Sequence, residues 1–336
     1  MSVIGRVIAG LLALGTLVAC ADGGGEPAAS DAPVGIRHYL GVAASPGTTP
    51  FFLGVEKGYY EEAGLDVELL QGESQSASPG LIAEGKADLA SIDLTLLATA
   101  VAENPELTAK MVTAYHARTI QAVYSLRSGA NVDEPTDMDG ITIYGRIGAV
   151  GNKVIETWAK REGYPVPNFK EVDADALDRL LVSGEVDAIQ SSILSGPGLE
   201  AATKDSGEEL VTLELAEYGL APYYGTGIIV SDEFAEDQPD AVRAWIEATR
   251  RIYRWCFENK EQAAREMVAL YPTLTEGTVI AAMEVLEKAA TDGGALDLDE
   301  ILDLDPATVE ATISIVEETL GIEVDETSLY TTEFLD

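Results

Sequence analysis

Apolar positions along this chain fall into two alternating rhythms. Short runs at 36–42, 65–69, 89–92, 107–115 and 120–126 read as strands, the second with in–out alternation. Between them, 51–57, 78–84 and 94–102 read as helices, and Pro50 suits the first turn of the first one. Strands and helices taking turns predict an α/β lobe with a largely parallel sheet. Residues 128–140 break the rhythm with Gly, Asn, Pro and four acidic residues. The pattern restarts with a strand at 141–144, a Gly-rich loop, a helix to Glu162, a strand at 169–172 and a helix at 174–181. A strand after Asp187 and a helix near Leu199 come next, and a strand at 228–230 returns the chain to the first lobe. Helices at 240–257, 261–270, 278–290 and 306–320 then cover that lobe. The division is 34–127 plus 230–336 for one lobe and 128–229 for the other. Two crossings make a hinge.

One phrase occurs twice. Leu81-Ile82-Ala83-Glu84-Gly85-Lys86-Ala87-Asp88-Leu89-Ala90 is echoed by Leu180-Leu181-Val182-Ser183-Gly184-Glu185-Val186-Asp187-Ala188-Ile189. Each reads as a helix end, a Gly in the left-handed conformation, a turn closed by Asp, and a buried strand. Each strand runs into a polar loop, Ser91-Ile92-Asp93 in one copy and Gln190-Ser191-Ser192 in the other. Ligands of open α/β sheets sit outside the carboxyl ends of the strands, so the echo predicts two such loops facing across a cleft.

The first residues change the setting rather than the fold. Arg6 precedes an apolar run at 7–17, too short to span a bilayer comfortably, which gives a signal peptide over 1–19. Leu17-Val18-Ala19-Cys20 resembles a bacterial lipobox, which implies a lipid on the Cys20 thiol and a membrane anchor. Residues 20–33 lack apolar periodicity and form a tether, holding the domain on the order of 20 Å from the membrane. Cys256 is the only other cysteine, so with Cys20 lipidated no disulfide forms, and Cys256 reads as a buried apolar residue. In 336 residues, 21 Lys and Arg stand against 58 Asp and Glu, a net charge of −37. Such a surface repels nucleic acid and anionic headgroups and suits a dispersed monomer.

With these parts in order, the chain resembles a known family over residues 36–330. Its marks are Pro50-Phe51-Phe52-Leu53-Gly54-Val55-Glu56-Lys57-Gly58-Tyr59-Tyr60-Glu61-Glu62-Ala63-Gly64-Leu65-Asp66-Val67, Glu84-Gly85-Lys86-Ala87-Asp88, Thr136-Asp137-Met138-Asp139-Gly140 and Ser183-Gly184-Glu185-Val186-Asp187-Ala188. The family comprises solute-binding lipoproteins of ABC importers for aliphatic sulfonates, taurine, nitrate and thiamine-precursor pyrimidines. The resemblance implies the two-lobed type II periplasmic-binding-protein fold, a closing cleft, and a permease with its ATPase as partners. Eukaryotic pyrimidine synthases also resemble this fold, but they carry a Cys-rich run that is absent here.

Candidate ligand contacts come from the strand ends. Ser45, Thr48 and Thr49 either meet the ligand or cap the following helix, which Phe51 begins. Asp93 either binds an amine or amidine-like group or caps the helix after it. Tyr115 and His116 end a strand at the expected cleft. His38 and His116 are the two His residues, without the ligand spacing of a metal site. Gly145-x-x-Gly148-x-x-Gly151 is not Gly-x-Gly-x-x-Gly, which removes the dinucleotide reading and any nucleotide cofactor. Arg146 beside the helix N-terminus at Asn152 suits a small anion. Gln190, Ser191 and Ser192 mirror Asp93. Tyr144, Tyr223 and Tyr224 either stack on a flat ring or simply pack.

Gly-x-Ser-x-Gly, His-Glu-x-x-His and P-loop motifs are missing, which favours a receptor over an enzyme. A structural or adhesion lipoprotein would need neither hinge nor cleft loops. Arg146 favours a sulfonate or nitrate; Asp93 with several Tyr favours a nitrogen heterocycle such as a thiamine-precursor pyrimidine. Titration calorimetry separates the two. Arg146→Ala abolishes binding of an anionic ligand and hardly affects a neutral one, and the reverse result removes Arg146 from the site.

Overall fold

Three apolar runs near the start become β1 (Val34–Tyr39), β2 (Leu65–Leu70) and β3 (Leu89–Asp93), all parallel. Here the chain is seen in a computed structural model that describes residues 32–147, 149–220 and 223–335. The expected signal segment, Cys20 and nearly all of the tether lie outside the described residues, as does Gly148. Between the strands run α1 (Thr49–Glu56), α2 (Tyr59–Glu62) and α3 (Ser78–Ala83). After β3 come α4 (Leu94–Glu103) and β4 (Ala109–Ala114).

The second sheet holds β5 (Gln121–Leu126), β6 (Thr142–Arg146), β7 (Asn168–Val172), β8 (Ala188–Ser192) and β9 (Leu210–Glu214). Its helices are α5 (Gly151–Glu162), α6 (Ala174–Val182) and α7 (Gly196–Asp205). The chain then returns through β10 (Thr226–Ser231). The strand orders are β2-β1-β3-β10-β4 and β7-β6-β8-β5-β9. Both sheets thus repeat one plan. In each, the fourth strand is antiparallel to both neighbours, because it alone arrives from the other sheet. The remaining four strands of each sheet run one way, so the expected parallel character holds apart from the crossing strands.

This topology corrects the lobe limits read from sequence. The strand at 121–126, expected in the first lobe, pairs with β8 and β9 in the second sheet. The Gly- and Asp-rich break at 128–140 connects β5 to β6 instead of joining the lobes. The true crossing, 115–120, hides Tyr115, His116, Arg118 and Thr119 from solvent and therefore lacks the polar composition of a linker. On the return, β10 begins at Thr226, so the expected limit at 229/230 cuts through a strand. β9 was not anticipated; its run Leu210-Val211-Thr212-Leu213-Glu214 is short and comes closely after α7.

After β10 come α8 (Asp232–Asp237), α9 (Pro239–Glu258), α10 (Lys260–Leu270), α11 (Glu276–Ala290) and α12 (Pro306–Leu320). On α9, Val242, Trp245, Ile246, Thr249, Ile252, Tyr253 and Cys256 recur at helical spacing and are buried. Each large apolar member contributes roughly 1.5–3 kcal/mol by leaving water. Trp245 lies 6.2 Å from both Phe51 and Tyr60, which locks α1 and α2 against α9. The last helices do not confine themselves to the first sheet as expected. Ala289 of α11 shares a cluster with Ile189, Ile193 and Leu199 of the second half, and α12 packs against both α4 and α5. The chain's end also covers the exposed edge of β4. The Met111 N–H donates to the Leu329 carbonyl (2.8 Å), and the Thr331 N–H to the Met111 carbonyl (3.0 Å).

The echo is a matched pair of corners. Gly85 and Gly184 adopt φ of +62° and +70°, where a side chain would be strained. Asp88 Oδ2 accepts the N–H of Arg37 in β1 (2.7 Å), and Asp187 Oδ2 accepts that of Thr142 in β6 (3.0 Å). Each Asp satisfies a strand donor that the sheet leaves open.

Candidate binding cleft

The carboxyl ends of β3 and β8 carry equivalent groups, because each echo corner feeds its strand in the same register. Asp93 is the last residue of β3 and pairs with Thr226, the first of β10. Ser192 is the last residue of β8 and pairs with Gln121, the first of β5. Both also cap the next helical turn: the Thr95 N–H donates to Asp93 Oδ1 (2.8 Å), and the Leu194 N–H to Ser192 Oγ (3.1 Å). The capping reading of Asp93 is therefore correct, yet it does not exhaust the carboxylate.

Asp93 is partly buried, and desolvation pushes its carboxyl up to about 6, with hydrogen bonds from Thr95 and the Leu96 backbone pulling the other way. Among the described residues no cation acts on it. Gln75 Oε1 accepts the Asp93 N–H (3.1 Å). Tyr115 and Tyr223 stand close enough to feel its charge. Burial first, then Asp93, raises the Tyr223 phenol, whose hydroxyl lies 2.5 Å from Thr95 Oγ1. Burial pushes the Tyr115 phenol up to about 12, with the neighbouring Ser91 and Thr226 hydroxyls offsetting part of the rise.

The second sheet supplies amides. Gln190 Nε2 donates to Gln121 Oε1 (2.6 Å), and Ser191 Oγ to Ser195 Oγ (3.1 Å). Asn152 is 8% exposed; its Nδ2 donates to the Lys170 carbonyl (3.3 Å) while Oδ1 has no partner. Two glycines make room for these amides. A Cβ on Gly151 would fall 2.3 Å from the Gln190 carboxamide, and one on Gly145 would fall 2.7 Å from that of Asn152. Gly145 and Gly151 are seats for side-chain amides.

Other sequence candidates go elsewhere. The Thr48 hydroxyl donates to the Ser45 carbonyl (2.9 Å) and accepts the Ser45 N–H (3.0 Å), while Thr49 Oγ1 donates to the Pro46 carbonyl (2.8 Å). These hydroxyls are occupied in shaping their own turn. Phe51 is core, edge-on to His38, Tyr115 and Tyr253. Tyr144 packs beside Lys170, whose Nζ donates to its hydroxyl (3.3 Å). Tyr224 points at the start of α12, where its hydroxyl accepts the Asp305 N–H (2.8 Å). Arg146 is exposed; burial raises the Asp178 carboxyl and Arg146 pulls it back, so this cation already has an acidic neighbour. Tyr144, Tyr224 and Phe51 thus have structural employment. Gln75, Gln121 and Thr226 were missed: isolated Gln and Thr carry no motif, and only strand register brings them to the strand ends.

Arg118 on the first crossing is also buried, and its Nη2 donates to Glu217 Oε1 (2.8 Å). Lys288 of α11 reaches both Glu217 (3.2 Å) and Glu214 (2.6 Å), tying that helix to the end of β9.

Comparison with known proteins adds four relationships. The model of the NMT1/THI5-like family matches residues 45–263. The formylaminopyrimidine-binding protein of Halalkalibacterium halodurans is 23% identical over 257 residues, covering 73% of this chain and 75% of that one. A Saccharomyces cerevisiae protein named 4-amino-5-hydroxymethyl-2-methylpyrimidine phosphate synthase is 22% identical, over 71% and 72% of the two chains. Among solved structures, the periplasmic aliphatic sulphonate binding protein of Escherichia coli superposes with a TM-score of 0.69. It is 11% identical, covering 91% of this chain and all of that one (100%). The architecture is the type II periplasmic-binding-protein fold.

A raised carboxyl has a signed consequence. Below about pH 4 Asp93 is protonated whether folded or unfolded, and its burial costs nothing through ionisation. As pH climbs through 4 to 6 the unfolded chain releases the proton first, so this stability is lost, by up to about 2–3 kcal/mol. Asn keeps the cap. Ligand-free Asp93→Asn therefore matches wild type near pH 4 and is more stable at pH 7.5, as read by urea unfolding. A less stable variant at pH 7.5 contradicts the assignment.

Proposed function

The chain belongs to the NMT1/THI5-like family, and from that premise we propose a lipid-anchored, extracytoplasmic solute-binding protein of an ABC importer. Its ligand is a small flat nitrogen heterocycle bearing an amino group, of the thiamine-precursor pyrimidine kind. Closure of the two halves around the ligand gives the form that docks on a permease with its ATPase. The observation that carries this reading is Asp93: a partly buried carboxylate at a strand end, flanked by Tyr115 and Tyr223, with no cation acting on it among the described residues. Such a group gains most from a ligand that donates hydrogen bonds or positive charge.

A sulfonate or nitrate fits less well. It would sit beside Asp93, and the cation nominated to hold it, Arg146, is exposed and shares its charge with Asp178. The names of two relatives, one a binding protein and one a synthase, both refer to aminopyrimidines. Receptor rather than synthase is supported by the state of the chain's histidines. His38 Nε2 lies 3.1 Å from Ser91 Oγ, a spacing that suits a base and a nucleophile. Both residues are fully buried and the His38 Nδ1 has no partner to orient it, so the pair is packing.

A thermal-shift screen tests the ligand. 4-Amino-5-hydroxymethyl-2-methylpyrimidine or its formylamino relative raises Tm, with about 2.7 kcal/mol of stabilisation at a hundredfold excess over Kd. Taurine, alkanesulfonates and nitrate do not; a shift with one of these alone overturns the heterocycle assignment. The anchor has its own test. Cells fed a radiolabelled fatty acid label the wild type, Cys20→Ser abolishes the label and frees the protein, and an unlabelled wild type removes the anchor.

A further inference from the structure

Several buried polar atoms near the strand ends have no partner, and one of them, on His116, is a neutral donor beside the register partner of Asp93. His116 lies on the first crossing, two residues beyond the end of β4, and is 2% exposed. The Thr226 N–H donates to its Nδ1 (3.4 Å), which leaves the proton on Nε2. That Nε2–H has no partner. Buried donors are nearly always paired, and leaving one open is unfavourable to the folded state.

Its surroundings indicate what would pair with it. Thr226, which fixes the His116 ring, is also the register partner of Asp93 across β10 and β3. The Tyr115 ring centroid stands 4.6 Å from that of His116, and the Tyr115 phenol feels the Asp93 charge. Asp93 and His116 therefore flank one residue, with β10 between them, at about two strand spacings or ~10 Å between backbones. On the second sheet, Asn152 Oδ1 is a buried acceptor, also without a partner. The open groups on these elements are thus two acceptors, Asp93 and Asn152, the neutral His116 donor, and Arg118 Nε further along the crossing, whose guanidinium already pairs with Glu217 through Nη2. Burial holds the imidazole down to about 3, so the donor stays neutral at physiological pH.

We infer that His116 is a specificity residue, its Nε2–H donating to an sp² acceptor, a ring nitrogen or carbonyl, on the ligand whose amino group meets Asp93. The inference rests on the amino-heterocycle reading above. An aminopyrimidine matches the open groups, since its amino group offers two donors and its ring offers acceptors. A charged amine without an acceptor would satisfy Asp93 and leave His116 unmet.

Titration calorimetry on the full chain, with 4-amino-5-hydroxymethyl-2-methylpyrimidine, its formylamino relative and the benzene analogue lacking both ring nitrogens, tests this. Wild type binds a pyrimidine and discriminates against the benzene analogue. His116→Leu binds the pyrimidine roughly ten- to a hundredfold more weakly and loses that discrimination; it also strands the Thr226 N–H that Nδ1 accepts, so its ligand-free Tm falls and the discrimination is the readout. His116→Gln, which keeps an N–H donor, recovers most of the affinity. Preference for the formylamino compound that vanishes in His116→Leu assigns the carbonyl as acceptor; loss of discrimination against the benzene analogue assigns a ring nitrogen. Undiminished binding by His116→Leu overturns the role of His116 and leaves the receptor reading standing, with only a buried water on Nε2. Equal weakness of His116→Gln and His116→Leu also overturns it. Failure of wild type to bind any of these compounds removes the reading and the inference together.

Discussion

A single constraint governs this molecule: each sheet completes itself with a strand delivered from the other one. β10 must slot between β3 and β4, and β5 between β8 and β9, each running against its neighbours. The chain therefore passes twice through the zone where the strand ends lie, and its first residues in each new sheet pair with the last residues of β3 and β8. Thr226 meets Asp93 and Gln121 meets Ser192 for that reason alone. Fit is close along the way. A Cβ on Gly227 would lie 2.4 Å from the Thr113 carbonyl, so β10 can be accommodated there only with glycine. Connection and candidate binding surface are the same piece of chain.

That placement explains the electrostatics. A chain with a net charge of −37 has no shortage of carboxylates, and most of those at its surface are solvated or paired. Asp93 differs because it ends a strand whose other residues are fully buried, so it is desolvated without being neutralised. Arg118, on the crossing, has Glu217 for its Nη2 and no partner for its Nε. His116, two residues before it, has a partner for one ring nitrogen and none for the other. Among the described residues, burial without a hydrogen-bond partner occurs in the α9 core, at Trp245 Nε1 and the Tyr253 hydroxyl, and also near the strand ends, at His116 Nε2 and Asn152 Oδ1. Functional sites are where such failures are expected.

Much of this was legible in the sequence, and the rest was hidden for definable reasons. The helices on the outside announced themselves through apolar spacing, and the echo located both β3 and β8 and their Gly–Asp corners. Asp93, Asn152, Gln190 and Ser191 could be nominated because strand ends in α/β folds are predictable from the strands alone. The crossings could not. A connection buried between two sheets looks like core in composition, so 115–120 read as part of a strand pair and the exposed β5–β6 loop was mistaken for the joint. Aromatic residues misled in a related way: Phe51, Tyr144 and Tyr224 sit near strand or helix ends in sequence, yet their rings and hydroxyls point into packing. Side-chain direction depends on tertiary neighbours, and periodicity does not carry it.

In the proposed function everything turns on Asp93 as an unneutralised carboxylate that a ligand donor satisfies. Carbon-13 detection of the Asp93 carboxyl through a pH titration reads this directly, with and without 4-amino-5-hydroxymethyl-2-methylpyrimidine. The expected midpoint is near 6 in the free protein, moving down when the pyrimidine binds, because a donor favours the ionised form. A midpoint in the ordinary range near 4 without ligand, or one that bound pyrimidine leaves in place, would contradict it.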